Sequence, residues 1–219
     1  MPNDSKHIAK FNTAYFVFRT WARFVGSVFF SFFRAWGETD IKPGDGRIIV
    51  VKYYGLVTWL TVLRTFRNPV KFLMTETIND RWFDLAVGGG LDPQLLKRIL
   101  AEDLSVTAEL CRTENVVLMI PENIDDYSIS LITELKKKFQ NKMLFLAVSG
   151  AEKSLPKGSY VPKAFPITAF CGLPLISSAE NKDPLAELRF LELVIKDVPL
   201  NELPSIFINH PNNKLPADK

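Results

Sequence analysis

The chain has little of what metal sites and nucleophilic enzymes are usually made from. Its 219 residues include 2 cysteines and 2 histidines, and the histidines, His7 and His210, stand near opposite ends. No zinc-ligand spacing can be drawn from that set, so no bound metal is expected. Cys111 and Cys171 both lie in apolar stretches, which reads as two buried thiols in a reducing compartment rather than a disulfide. Ser149 and the two cysteines have no histidine nearby in sequence, and a hydroxyl or thiol nucleophile needs an adjacent base. Only a tail that folds His210 back into a cleft would supply one.

Long apolar runs are missing too. A spanning helix needs roughly 20 apolar residues, whereas the uncharged stretch Phe24 to Phe33 is bounded by Arg23 and Arg34. Acidic residues are absent from Lys6 to Arg34, a segment that holds Lys6, Lys10, Arg19, Arg23 and Arg34. A recognisable phosphate loop is absent as well. Gly88, Gly89 and Gly90 fit neither the dinucleotide fingerprint nor a P-loop, and no lysine with serine or threonine follows them. They read as a turn, and no cofactor is expected.

What remains is apolar and nearly neutral: 47% hydrophobic residues and a formal net charge of +3, enough for one core-forming domain with an N-terminal appendage. The expected division is a helical, membrane-associating segment over 1–40, an α/β domain over 41–200 and a polar tail over 201–219. A basic appendage on a neutral body suits anionic phospholipid and not nucleic acid.

Aromatic residues crowd the appendage. Placed on a helix, Arg19, Arg23, Ser27 and Arg34 fall near one stripe and the apolar side chains cover most of the rest. An in-plane helix, or a helix pair bent at Gly26, is the expectation. Phe18, Arg19, Trp21, Arg23, Phe29, Phe30, Phe33, Arg34 and Trp36 are the candidate membrane contacts, with rings at headgroup level and arginines reaching lipid phosphates. Packing of this helix on the domain's own core or on a second subunit is the alternative.

In the body, strands are predicted at Arg47–Tyr53, Val70–Met74, Asn115–Ile120, Lys142–Val148 and Phe165–Cys171. Helices are predicted at Leu56–Phe66, from Asp80 to Val87, from Asp92 with Leu96, Ile99, Leu100 and Leu104 inward, at Ser130–Phe139, and from Asp183 with Leu185, Leu188, Leu191 and Ile195 on one face. Strands alternating with helices point to an α/β fold with a mostly parallel central sheet flanked by helices. Lys136, Lys137 and Lys138 close a helix, where positive charge suits the dipole; contact with an acidic carrier protein or lipid surface is the sharper reading.

One ordered series of segments goes further. Ile48 to Lys52 lead into Tyr53 and Tyr54, with Trp59 five positions on; Ile120, Pro121, Glu122, Asn123, Ile124 and Asp125 follow a later strand; then come Leu146 to Glu152, Leu155 to Gly158 and Gly172 to Leu175. This series resembles the glycerolipid acyltransferase superfamily, the PlsC-like enzymes that make phosphatidic acid from lysophosphatidic acid. The resemblance implies that Tyr54 and Trp59 stand where the family has its catalytic His and Asp, with Tyr53 the alternative for the histidine position because a one-residue shift reverses which side chain faces the cleft. It also implies that Tyr53, Tyr54, Pro121, Glu122 and Asn123 line a substrate site, and that Asp125 stands where an arginine would grip phosphate.

Tyrosine, with an ordinary pKa of about 10, is a poor base at neutral pH, and tryptophan cannot orient one. Losing a general base typically costs on the order of 100-fold to 10000-fold in rate. The expectation is a non-catalytic relative, peripheral on the cytoplasmic face of a membrane, that binds an acyl chain, a lysolipid, acyl carrier protein or a catalytic partner. Two alternatives stand beside it: a divergent acyltransferase that uses Glu122 or a tyrosine as base and moves an acyl group from acyl-CoA or acyl carrier protein to a lysolipid or other non-standard acceptor, and a structural oligomer built through the aromatic helix.

Overall fold

The computed structural model describes residues 4–30, 32–75, 96–99, 109–110, 112, 114–139, 142–154, 163–172, 185, 188–189 and 192, with the side chains of 4–14, 18, 29 and 96–99 outside that set. The described elements are α1 (Asp4–Phe29), β1 (Phe32–Gly37), β2 (Ile48–Lys52), α2 (Leu56–Thr65), β3 (Lys71–Thr75), β4 (Leu96–Ile99), β5 (Val116–Ile120), α3 (Asp126–Phe139), β6 (Met143–Ser149), α4 (Ala151–Ser154) and β7 (Pro166–Gly172). The expected helices from Asp80 to Val87, the turn at Gly88, the tail beyond 200, His210 and Cys111 lie outside the described residues.

Seven strands form one sheet in the order β1-β7-β6-β2-β5-β3-β4. β6, β2, β5, β3 and β4 run parallel, while β7 is antiparallel to β6 and β1 is parallel to β7. The expected α/β class, a mostly parallel sheet flanked by helices, is therefore present. Continuous apolar runs such as Ile48–Val51 and Val116–Ile120 form these strands because both of their faces are covered, and those residues are fully buried.

Alternation divides the core in two. Ile49, Val51, Val117, Met119, Leu144 and Leu146 meet α2 through Leu56, Val57, Leu60 and Leu63 on one face. Ile48, Val50, Leu118, Ile120, Met143 and Phe145 meet Leu131, Ile132 and Leu135 of α3, with Leu185 and Leu188, on the other.

Two segments depart from the helices expected of them. Leu96–Ile99 is a strand that extends β3 in parallel register, Phe72 beside Leu96. Apolar residues three apart suit any short segment, and the unpaired edge of β3 decides the outcome. Phe32–Trp36, expected to continue the aromatic helix, is β1; its bulky rings favour a pleated surface, and it pairs along β7 from Phe32 beside Pro166 to Gly37 beside Cys171.

Of the two N-terminal forms expected, the single helix is the one present. Gly26 lies inside α1 and not at a bend between helices. A Cβ there would stand 2.8 Å from Arg64 Cδ and Nη1, so its role is close approach. No described helix is long and apolar enough to cross a membrane.

Cys171 is fully buried on β7, and burial drives its thiol far above the ordinary range, with Glu38 adding to the rise and Arg47 opposing it. It is expected to resist alkylation in the folded protein and to react on unfolding, as site-resolved mass spectrometry would show. Gly37 and Gly44 offer a paired stability test. Both have left-handed φ, +83° and +84°, but a Cβ at Gly37 would sit 1.9 Å from the Cys171 carbonyl oxygen, whereas at Gly44 nothing lies within 4 Å. Gly44→Ala should cost about 1–2 kcal/mol from backbone conformation alone, and Gly37→Ala about 3 kcal/mol or more in urea unfolding.

Candidate functional site

The crevice arises where the chain reverses its side of the sheet. Neighbouring parallel strands β2 and β5 send their next helices, α2 and α3, to opposite faces. Loops that diverge in this way leave a gap at the carboxyl ends of the strands, where ligands bind in open α/β sheets. Tyr53 and Tyr54 leave β2 there, and Pro121, Glu122 and Asn123 leave β5. The Tyr53 amide donates to the Ile120 carbonyl at 2.8 Å, so the two loops start side by side.

The turn into α2 is held by its own sequence. Gly55 takes φ 63° and ψ −144° as N-cap, a conformation that favours glycine. Thr58 Oγ1 accepts the Tyr54 amide at 2.7 Å and donates to the Lys52 carbonyl at 3.2 Å. That tie leaves the Tyr54 ring half-buried, with its hydroxyl close enough to Glu192 to feel that carboxylate. Lys52 Nζ meets the same residue at Oε2, 2.6 Å away, with both side chains mostly buried (15% and 21% exposed).

Glu192 is a helical position beyond Leu185, whose carbonyl accepts the Arg189 amide at 3.0 Å. Burial raises its carboxyl above the usual range against the pull of Lys52. The Tyr54 hydroxyl is driven far above the ordinary tyrosine range, first by burial and then by the carboxylates of Glu192, Glu152 and Glu122. At neutral pH the phenol stays protonated and is a poor general base.

Trp59 does not join this cluster. It packs against the α2-side core, and its ring centroid lies 4.7 Å from that of Phe72 at 48°. Tyr53 likewise packs its ring on that core. Pro121 and Glu122 are half-buried and Asn123 is exposed; Glu122 is close enough to act electrostatically on Tyr54. Asp125, at the position expected for a phosphate-gripping arginine, accepts the Ser128 amide on Oδ1 at 2.8 Å and so caps α3. Ser149 ends β6 half-buried.

The expected membrane contacts divide. On α1 the inward face holds Tyr15, Ala22 and Gly26, all buried. The Tyr15 hydroxyl and Arg19 Nε donate to the Phe66 carbonyl at 3.3 and 3.2 Å, so Arg19 is engaged on the protein. Phe30 is 4% exposed and stacks on half-buried Phe33 at 5.8 Å. Phe30 is therefore core and not a lipid contact, because chain turning into β1 folds it inward. Trp36 is half-buried, while Trp21, Arg23 and Arg34 are exposed. Phe18 and Phe29 side chains lie outside the described set.

Sequence reasoning did not single out Phe16, Val17, Phe24 and Val28, which are 59–74% exposed. At about 100° per residue they lie between Arg23 on one edge and Trp21 on the other. It also missed Lys52 and Glu192 as site residues. No local pattern joins positions 140 residues apart, and a lone Glu on a predicted helix carries no signal.

This architecture, a mostly parallel sheet with the candidate site at β2 and β5, defines the class: an open α/β sheet with helices on both faces. No family model and no curated protein sequence matches the chain. Among solved structures it is similar to the 1-acyl-sn-glycerophosphate (LPA) acyltransferase PlsC from Thermotoga maritima, with a TM-score of 0.57 and 12% identity over 83% of this chain and 77% of that one. At that identity the likeness establishes the PlsC-like fold that the motif series implied.

Removing one partner of a largely buried ion pair strands the other, so Lys52→Met should destabilise by about 2–3 kcal/mol. The double variant Lys52→Met/Glu192→Leu should lose clearly less than the sum of the single changes. A urea-unfolding double-mutant cycle measures that coupling.

Proposed function

We propose that this chain is a membrane-peripheral protein of lipid metabolism, on the cytoplasmic face, that keeps the acyltransferase fold without catalysing acyl transfer. It holds an acyl chain or lysolipid, or presents itself to acyl carrier protein or a catalytic partner. The observation that carries this reading is Tyr54. An acyl transfer from a thioester needs a base to take the proton of the attacking hydroxyl, and Tyr54 stands at the expected base position as a half-buried phenol whose proton is held tightly by burial and by the carboxylates around it.

Two further observations support it. Trp59 lies against Phe72, and no carboxylate at that position can orient a base. Asp125 and Asp126 occupy the start of α3, where an arginine would be needed to grip phosphate bidentately. Membrane seating is supported by the exposed row Phe16, Val17, Phe24 and Val28, an apolar face on an otherwise ordinary amphipathic helix.

The deciding experiment is a multiple-turnover assay of the full-length protein in anionic liposomes, with acyl-CoA and acyl carrier protein thioesters and several lysolipid acceptors. Product is expected to stay at the uncatalysed background. Product many-fold above enzyme would overturn the reading, and Glu122→Gln would then test Glu122 as the base. In vesicle flotation, Phe24→Asp/Val28→Asp should weaken association at least about tenfold, since two apolar side chains leave the interface. Unchanged flotation would remove α1 from the membrane contact.

A further inference from the structure

Four guanidiniums gather at the seam between α1 and α2. Arg19 Nε donates to the Phe66 carbonyl at 3.2 Å, next to Arg67 in the chain. Arg64 Nη1 donates to the Arg23 carbonyl at 3.0 Å and lies 3.4 Å from Ser27 Oγ. Among the described residues none of the four has a carboxylate partner, although Arg47, Lys52 and Lys71 elsewhere on the fold each have one. Burial lowers the pKa of Arg19, and then Arg23 and Arg67 lower it further, with the Tyr15 phenol as the only counterweight. Arg64 is lowered by burial and then by Arg23.

The cluster is also pre-organised. The Arg64 guanidinium lies 4.8 Å from the Phe33 ring centroid and 5.8 Å from that of Phe30. Its stem passes under Gly26, the only residue small enough for that approach. Rings expected at the membrane thus form a platform that holds a cation. A guanidinium carries five N–H donors, and among the described residues one acceptor for Arg19 and two for Arg64 leave most of theirs uncommitted. Mutual repulsion, fixed geometry and spare donors together describe a site that an oxyanion would complete.

We propose that Arg19, Arg23, Arg64 and Arg67 bind the phosphate of an anionic phospholipid headgroup at the α1–α2 seam. The lipid is favoured over a soluble phosphate by position. Arg23 borders the exposed row of Phe16, Val17, Phe24 and Val28, so the basic cluster lies along the edge of the face assigned to the membrane. The inference rests on that membrane reading and adds to it a headgroup preference with named residues.

The test uses full-length protein in flotation with phosphatidylcholine vesicles, with and without phosphatidylglycerol, and inorganic phosphate in a separate titration. Arg23 and Arg67 have exposed side chains, so Arg23→Gln/Arg67→Gln should fold with an unchanged Tm. It should lose affinity for the anionic vesicles by roughly tenfold to thirtyfold, at about one charge's worth of surface attraction per residue, while keeping its weaker binding to phosphatidylcholine. Lys153→Gln/Lys163→Gln removes equal charge from exposed positions between β6 and β7 and should leave the preference intact.

Equal losses in both doubles would mean diffuse attraction to net charge, and would overturn the site. No loss in the arginine double, with Phe24→Asp/Val28→Asp still impaired, would overturn the site but leave the membrane reading standing. Absence of wild-type binding to any vesicle would end both. Saturable binding of inorganic phosphate without a vesicle preference would overturn the lipid assignment.

Discussion

A parallel sheet with no polar face imposes the constraint from which the rest of this structure follows. Ile48 to Val51 and Val116 to Ile120 are apolar at every position, so β2 and β5 are stable only with helices on both sides. Coverage of both faces obliges the segments after β2 and β5 to diverge, α2 to one face and α3 to the other. Their divergence opens the crevice, and the crevice sets which residues can meet. Packing and function are thus linked through connectivity, not through any single contact.

Within that crevice Tyr54 is held by several independent contacts. The hydroxyl of Thr58, the glycine turn at Gly55 and the ion pair of Lys52 with Glu192 all fix Tyr54 in place. A buried pair of charges contributes little net stability unless its geometry is good, and here Lys52 Nζ meets Glu192 Oε2 at 2.6 Å. The opposite end of the sheet is tied by Asn115, whose side chain accepts the Arg47 amide at 3.0 Å and donates to the Lys42 carbonyl at 2.7 Å. That end is a closed junction of strand starts, and the open end carries the candidate site.

The two halves of the N-terminal segment show how one composition serves two purposes. Phe16, Val17, Phe24 and Val28 remain outside, while Phe30 and Phe33 turn inward to carry Arg64. Helical periodicity separates the faces of α1 well enough, but it cannot foresee where the helix stops. Its end at Phe29, followed by pairing of β1 along β7, converts lipid-facing candidates into a support for a cation. Leu96–Ile99 shows the same limitation: an open strand edge at β3 outweighed a helix-compatible spacing.

Strand positions and the α/β class could be read from residue order, because they depend on local apolar runs and on short spacings along the chain. The motif series reached the right fold for the same reason, since a strand followed by a tight turn is a local event. The partners of those residues depended on distant chain returning to them. Glu192 reaches Tyr54 across the sheet, Arg64 reaches the carbonyl of Arg23 across a helix seam, and Trp59 finds Phe72 instead of the crevice. Such meetings are set by packing of the two faces, a collective property of the whole core to which no single stretch of sequence corresponds.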